Sequence, residues 1–206
     1  MSAFWQRLFS RCVLCLASSE TGNPFCPACR RDLPWRTHCR VASATFPVSA
    51  ALWFEPPVNW LIHAAKFGQN AAICRHLGNL MAELGDADQL RGHVVCPIPI
   101  GWRRQLRRGF NQSLLIAEPL AQRFGLRLQP RWLIRADNGA PQKQRGRRAR
   151  LALAHNAFAA DSAVAGQRIL LVDDVFTTGA TLRAARDSLL RQGARDVVGW
   201  VSAAVR

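Results

Sequence analysis

An apolar run at 169–172, ILLV, ends in two adjacent carboxylates, Asp173 and Asp174, and then passes through Val175 and Phe176 into Thr177, Thr178, Gly179, Ala180 and Thr181. Few folds accommodate such a segment. Four consecutive apolar residues read as a buried strand, and the residues after Gly179 have a helical period, so the acids and small residues fall at a strand's carboxyl end. In an open α/β sheet that is where ligands bind. The first turn of a helix offers unpaired N–H groups and the positive end of its dipole to an anion. Gly179 permits close backbone approach, and the threonine hydroxyls add donors. The acidic pair would repel a phosphate and suits sugar hydroxyls or a divalent cation instead. A phosphorylated ribose satisfies both halves. A Walker loop would need Gly-Lys-Ser/Thr here and a dinucleotide fingerprint three spaced glycines, and neither is present. An ordinary capped helix explains one acid and one threonine, but not two acids, three threonines and a glycine together.

The chain around this segment alternates. Strands are expected at 48–54, 93–98, 131–135, 168–172 and 197–203, and helices at 58–67, 71–84, 113–124 and 180–192. Strand and helix periods in alternation predict an α/β fold, a mostly parallel sheet with helices on both faces. With 206 residues and 49% hydrophobic composition the chain can bury one substantial core plus a small appended module. No apolar stretch reaches a membrane span, and the first twelve residues lack the marks of a signal peptide, so a cytoplasmic location is expected.

Five of the seven cysteines lie in the first 39 residues. Cys12 with Cys15, and Cys26 with Cys29, form two CxxC pairs separated by ten residues. That spacing fits a tetrahedral thiolate site for Zn²⁺, with four ligands and no open position, hence a structural metal. A short polar segment needs such cohesion. Disulfides fit a cytoplasmic chain less well. Residues 40–47 read as a linker, which divides the chain into a zinc-ribbon module at 1–40 and a larger domain at 41–206. His38 reads as a surface residue.

The net charge of +15 comes almost entirely from arginine, Lys66 and Lys143 being the only lysines. Compositional drift explains a diffuse excess, but Arg103, Arg104, Arg107 and Arg108 fall within six residues, and Lys143, Arg145, Arg147, Arg148 and Arg150 within eight. Clustering favours a phosphate-rich partner. The first cluster follows the strand at 93–98, where guanidinium forks would meet a pyrophosphate. Asn111 or Ser113 is placed to cap the helix that follows. Trp102, amid arginines, reads like the other tryptophans as a core or anchor residue, with stacking on a base as the alternative.

The run of four apolar residues, two acids and TTGAT resembles the ribose-phosphate signature of type I phosphoribosyltransferases. CPIPIGWRRQLRRGFNQSLLIAEPLA, with RGFNQ as its most recognisable phrase, is similar to the ComF family, competence-associated proteins with a phosphoribosyltransferase-like domain. Together with the zinc-ribbon start, the resemblance spans nearly the whole chain. It implies that Thr177, Thr178, Gly179, Ala180 and Thr181 cradle a 5′-phosphate, and that Asp173 and Asp174 take the ribose hydroxyls directly or through Mg²⁺. It also implies that 140–158 is a mobile closing loop, with Arg147 and Arg150 in register. In that loop Arg145 replaces the family's usual leucine and Leu153 its usual asparagine. The ligand implied is phosphoribosyl pyrophosphate. Two functions follow from the resemblance: phosphoribosyl transfer, or a role in DNA uptake as a single-stranded DNA-binding protein working with other competence proteins. No acceptor-recognition segment stands out.

Overall fold

The computed structural model describes residues 11–19, 23–36, 38–67, 70–135 and 157–206. Five strands form one parallel sheet: β1 (Val48–Trp53), β2 (His93–Pro97), β3 (Arg127–Leu128), β6 (Arg168–Phe176) and β7 (Asp196–Ala204), in the order β1-β7-β6-β2-β3. Two short strands, β4 (Leu133–Arg135) and β5 (Phe158–Ala160), pair antiparallel beside it. The helices are α1 (Pro27–Arg31), α2 (Val58–Phe67), α3 (Ala71–Glu83), α4 (Ala87–Leu90), α5 (Trp102–Arg108), α6 (Gln112–Phe124) and α7 (Ala180–Arg191).

Strand period two divides the core into the two faces the sequence calls for. On β6, Leu170 and Val172 join a cluster with Ile62 of α2, Leu77 and Met81 of α3, and Ile116 and Leu120 of α6. Ile169 and Leu171 join the opposite cluster, with Leu182, Ala185 and Leu189 of α7. Helices therefore cover both faces, and the α/β architecture with a mostly parallel sheet stands. At Gly78 the α3 and α6 backbones come so close that an added Cβ would lie 2.3 Å from the Ile116 carbonyl oxygen. No helix among the described residues is long and apolar enough to cross a membrane.

The structure departs from the sequence reading in several places, and the strand expected at 131–135 pairs outside the parallel sheet, antiparallel to β5. Residues 40–47 are no linker: Arg40 bridges to Ser49, and Val41 and Phe46 are buried in the α7-side cluster. The arginine run at 102–108, where no helix is expected, is helix α5. Strand β6 does not stop at Val172. It continues through both acids to Phe176, because β7 supplies partners as far as Ala204.

That extension shapes the site. β2 pairs with β6 only as far as Pro97 opposite Val172, and the Ile98 N–H then closes on the Val172 carbonyl at 2.9 Å. Beyond it, among the described residues, β6 has one neighbour, β7. The chain leaves β2 toward β3 and leaves β6 toward β7, in opposite directions along the sheet. The gap between β2 and β6 is thus a topological switch point, where α/β folds open a binding crevice.

Candidate active site and metal centre

Asp173 and Asp174 line this crevice and have different partners. Oδ1 of Asp173 accepts from Ser113 Oγ at 2.9 Å and from the Asp174 N–H at 2.9 Å. Oδ2 of Asp174 lies 2.8 Å from Lys66 Nζ, the two side chains being only 25% and 14% exposed. Burial, with the Asp174 charge beside it, pushes the Asp173 carboxyl up to about 7, although Ser113, the Asp174 N–H and Lys66 all pull it down. A carboxyl so raised between charged neighbours is short of positive charge, which suits a cation or a set of hydroxyl donors. Two carboxylates side by side in the crevice, Asp173 and Asp174, are a donor set that fits a divalent cation such as Mg²⁺.

Beyond the acids, Thr177, Thr178, Gly179, Ala180, Thr181 and Leu182 close a small cradle with Asp173 and Phe176. Gly179 caps α7 with φ of 70°, a left-handed conformation that favours glycine. An added Cβ would also meet the Phe176 ring at 2.7 Å. Both requirements fall on one residue. Thr177, Thr178, Ala180 and Thr181 are exposed and the first turn of α7 carries no acid, which leaves the positive end of the helix open to an anion, although the Ala180 N–H donates at 3.4 Å to Thr178 Oγ1.

The RGFNQS run forms the opposite wall. Asn111 is the N-cap of α6: its Oδ1 accepts the Ser113 N–H at 3.1 Å, and its amide donates to the Ile98 carbonyl at 3.0 Å. Cap and strand end are thereby tied together, and Ser113 is aimed at Asp173. Of the arginines on α5, Arg108 is the half-buried one, and its charge interacts with Asp174. Burial pulls its guanidinium below its ordinary value and Asp174 pushes back, while its Nε is buried without a hydrogen-bond partner. Arg103, Arg104 and Arg107 are exposed. Arg107 and Arg108 both lie over the Phe67 ring, at 5.9 and 5.8 Å, and Arg103 lies 5.4 Å from the Trp102 ring centre. Arg147 and Arg150 lie outside the described residues.

Two contributors escape a reading by motif. Lys66 lies in the last turn of α2 and reads there as a solvated helix terminus; its rarity in an arginine-rich chain is the signal that could have found it. Ser113 reads as a cap, yet Asn111 caps and Ser113 is freed to touch Asp173.

At the other end, Cys12, Cys15, Cys26 and Cys29 converge, their sulfurs all within 4.8 Å of one another. Cys15 and Cys26 sulfurs are 3.7 Å apart, far beyond a disulfide. The edge of a tetrahedron with Zn–S bonds of about 2.3 Å is about 3.8 Å, so the donor set fits zinc. Burial opposes a charge on Cys12, but N–H groups of Cys26, Cys15 and Leu14 outweigh it and bring the thiol down to about 6. Cys29 is pushed the other way, first by the Cys15 thiol. His38 is exposed, and neither it nor Cys39 joins the cluster.

The Phosphoribosyl transferase domain family matches residues 111–205. The DNA utilization protein YhgH of Escherichia coli O6:H1 is 31% identical over 203 residues, spanning 92% of this chain and 88% of that protein. Competence protein ComFC of Bacillus subtilis is 37% identical over 167 residues, spanning 80% of this chain and 67% of its own. The chain belongs to the ComF family. Competence protein F of Haemophilus influenzae extends the set, at 28% identity over 192 residues, 86% of this chain and 83% of that one. The domain match begins at Asn111, so it takes in Ser113, the acidic pair and the threonine cradle. It leaves out Lys66 and α5, so this ComF chain completes its crevice with elements upstream of the matched region.

Proposed function

We propose that this ComF protein binds phosphoribosyl pyrophosphate with Mg²⁺ in the β2–β6 crevice, and that it serves DNA uptake. The observation that carries the reading is the acidic pair and the Gly179 cradle side by side at the switch point, within a phosphoribosyl transferase domain. Thr177 to Thr181 would hold the 5′-phosphate, and Asp173 and Asp174 the ribose hydroxyls. Arg103, Arg104, Arg107 and Arg108, with Arg147 and Arg150, would meet the pyrophosphate. In a transfer reaction the C1′–oxygen bond to pyrophosphate breaks, pyrophosphate leaves with the electron pair, and an acceptor bonds to C1′. Mg²⁺ would supply charge neutralisation of the leaving group. Residues 1–40 form the zinc-ribbon module in this proposal and 41–206 the phosphoribosyltransferase-like domain. Titration calorimetry with phosphoribosyl pyrophosphate and Mg²⁺ tests it: binding is expected in the wild type and lost in Asp173→Ala/Asp174→Ala, and equal binding would overturn the assignment. Pyrophosphate release, screened over nucleobases, nucleosides and oligonucleotides, tests transfer.

A second reading keeps the ligand but not the transfer: a single-stranded DNA-binding competence protein that senses phosphoribosyl pyrophosphate. Helix α5 supports it. None of its residues is buried, Trp102 and Leu106 are 48% and 76% exposed, and Phe67 beside it is 63% exposed. Interleaved aromatics and arginines suit stacked bases and a phosphate backbone. The names of the relatives, two competence proteins and a DNA utilization protein, accord with it. Affinity for an oligonucleotide is expected to fall steeply with salt, with a shallower slope in Arg103→Ala/Arg104→Ala. A flat response would exclude it.

A further inference from the structure

The acidic pair already has a cation beside it. Lys66 Nζ reaches Asp174 Oδ2 at 2.8 Å, with both side chains largely out of water. The contact joins the last turn of α2 to β6, and thus an element outside the 111–205 match to the centre of the site. The next residue, Phe67, lies under Arg107 and Arg108, so the end of α2 touches the acids and the arginine helix together.

The residue type is informative. Among 28 basic side chains only Lys66 and Lys143 are lysine. An arginine in this place would grip a carboxylate with a planar, two-pronged fork. A lysine is a single point charge on a flexible stem, which neutralises Asp174 through one oxygen and can swing away. A permanent structural pair would suit the residue type that the rest of the chain uses. A replaceable one suits lysine.

We propose that Lys66 is a displaceable counter-ion: it holds Asp174 in place while the crevice lacks a ligand, and yields that carboxylate when a divalent cation enters. Lys66 is thus a positioning residue that acts through Asp174. The inference rests on the reading of the acidic pair as the Mg²⁺ and ribose site. It adds that filling the site exchanges one cation for another, and that the end of α2 is released as this happens.

Mn²⁺, as a spectroscopic substitute for Mg²⁺, tests the exchange on the full-length, zinc-loaded protein, without any phosphoribosyl ligand. Water-proton relaxation reports its affinity. Lys66→Met removes the competitor and is expected to bind Mn²⁺ roughly tenfold more tightly than the wild type. Lys66→Arg is expected to bind it more weakly than the wild type. A merely structural lysine would give neither that order nor its dependence on Asp174. In an Asp174→Asn background, which also serves should Lys66→Met fold poorly, the Lys66→Arg effect should vanish. Unchanged or weakened Mn²⁺ affinity in Lys66→Met, a Lys66→Arg effect that survives Asp174→Asn, or no Mn²⁺ binding by any variant would overturn the proposal. Wild-type calorimetry with phosphoribosyl pyrophosphate and Mg²⁺ keeps the two claims apart. If it binds and the Mn²⁺ order fails, only the counter-ion role falls; if it does not bind, the reading of the site falls.

Discussion

The hydroxyl of Ser113 donates to Oδ1 of Asp173 at 2.9 Å, joining residues 60 apart in sequence. The first turn of α6 and the end of β6 are fixed to each other through this bond. Ser113→Ala is expected to lower stability by about 1 kcal/mol. It should also push Asp173 further above the ordinary carboxylate range, because the lost bond favoured the charged form. Carbon NMR of the Asp173 carboxyl reports the titration directly, and an unmoved midpoint would show that the hydroxyl does not hold the carboxylate.

Asp173 itself should make stability depend on pH. Its value in the folded chain is about 7 against an ordinary 3.8, so the folded state binds the proton more tightly than the unfolded one. The stability this group contributes is full below pH 3.8 and is lost as pH rises through about 7. Asp173→Asn has no such proton. Urea unfolding of both proteins at about pH 5 and about pH 8 should show the wild type losing at least about 1 kcal/mol relative to the variant. A pH-independent difference would mean that Asp173 titrates normally.

Gly179 can be compared with Gly166. Both have positive φ, 70° and 73°, but a Cβ at Gly166 meets nothing within 4 Å, whereas at Gly179 it meets the Phe176 ring. Each Gly→Ala change carries about 1–2 kcal/mol for the left-handed backbone. Gly179→Ala should lose more, because the ring must move, and should abolish phosphoribosyl pyrophosphate binding. Gly166→Ala should leave binding intact. Equal melting temperatures for the two variants would remove the steric argument.

Removal of zinc should be felt by the whole chain. Phe25 and Leu33, which flank the second cysteine pair, are buried in the same cluster as Ile62, Leu77 and Ile116. Chelation, or Cys15→Ser, is expected to lower the melting temperature of a single cooperative transition followed by far-ultraviolet circular dichroism. A separate low-temperature transition with the main one unmoved would show an independently folding module.

What the sequence made legible is what has a period or a fixed spacing. Helix 58–67 has apolar residues at helical intervals and is found where they place it. The four cysteines converge as their spacing requires. Helix α5 escaped because WRRQLRR buries none of its residues and so shows no apolar face. The end of β6 escaped because two acids interrupt an apolar strand, and what sustains them is the pairing with Val201 and Ala203 of β7. Val41 and Phe46 are too sparse to show a period, yet each fills a place in the core. Lys66 has no local signal beyond being a lysine, since its partner lies more than a hundred residues downstream.

The uneven ends of β2 and β6 have a mechanical consequence. From Asp173 to Phe176 the strand is braced by β7 on one flank and, among the described residues, by no strand on the other. A ligand in the crevice occupies the berth of a missing strand, and the sheet beneath need not part to admit it. Entry and exit can then proceed while the barrier to unfolding stays high. Amides of β7 should resist hydrogen exchange as strongly in the ligand-free protein as in the complex, and the gain in protection on binding should fall on the Thr177–Thr181 turn and the end of α2.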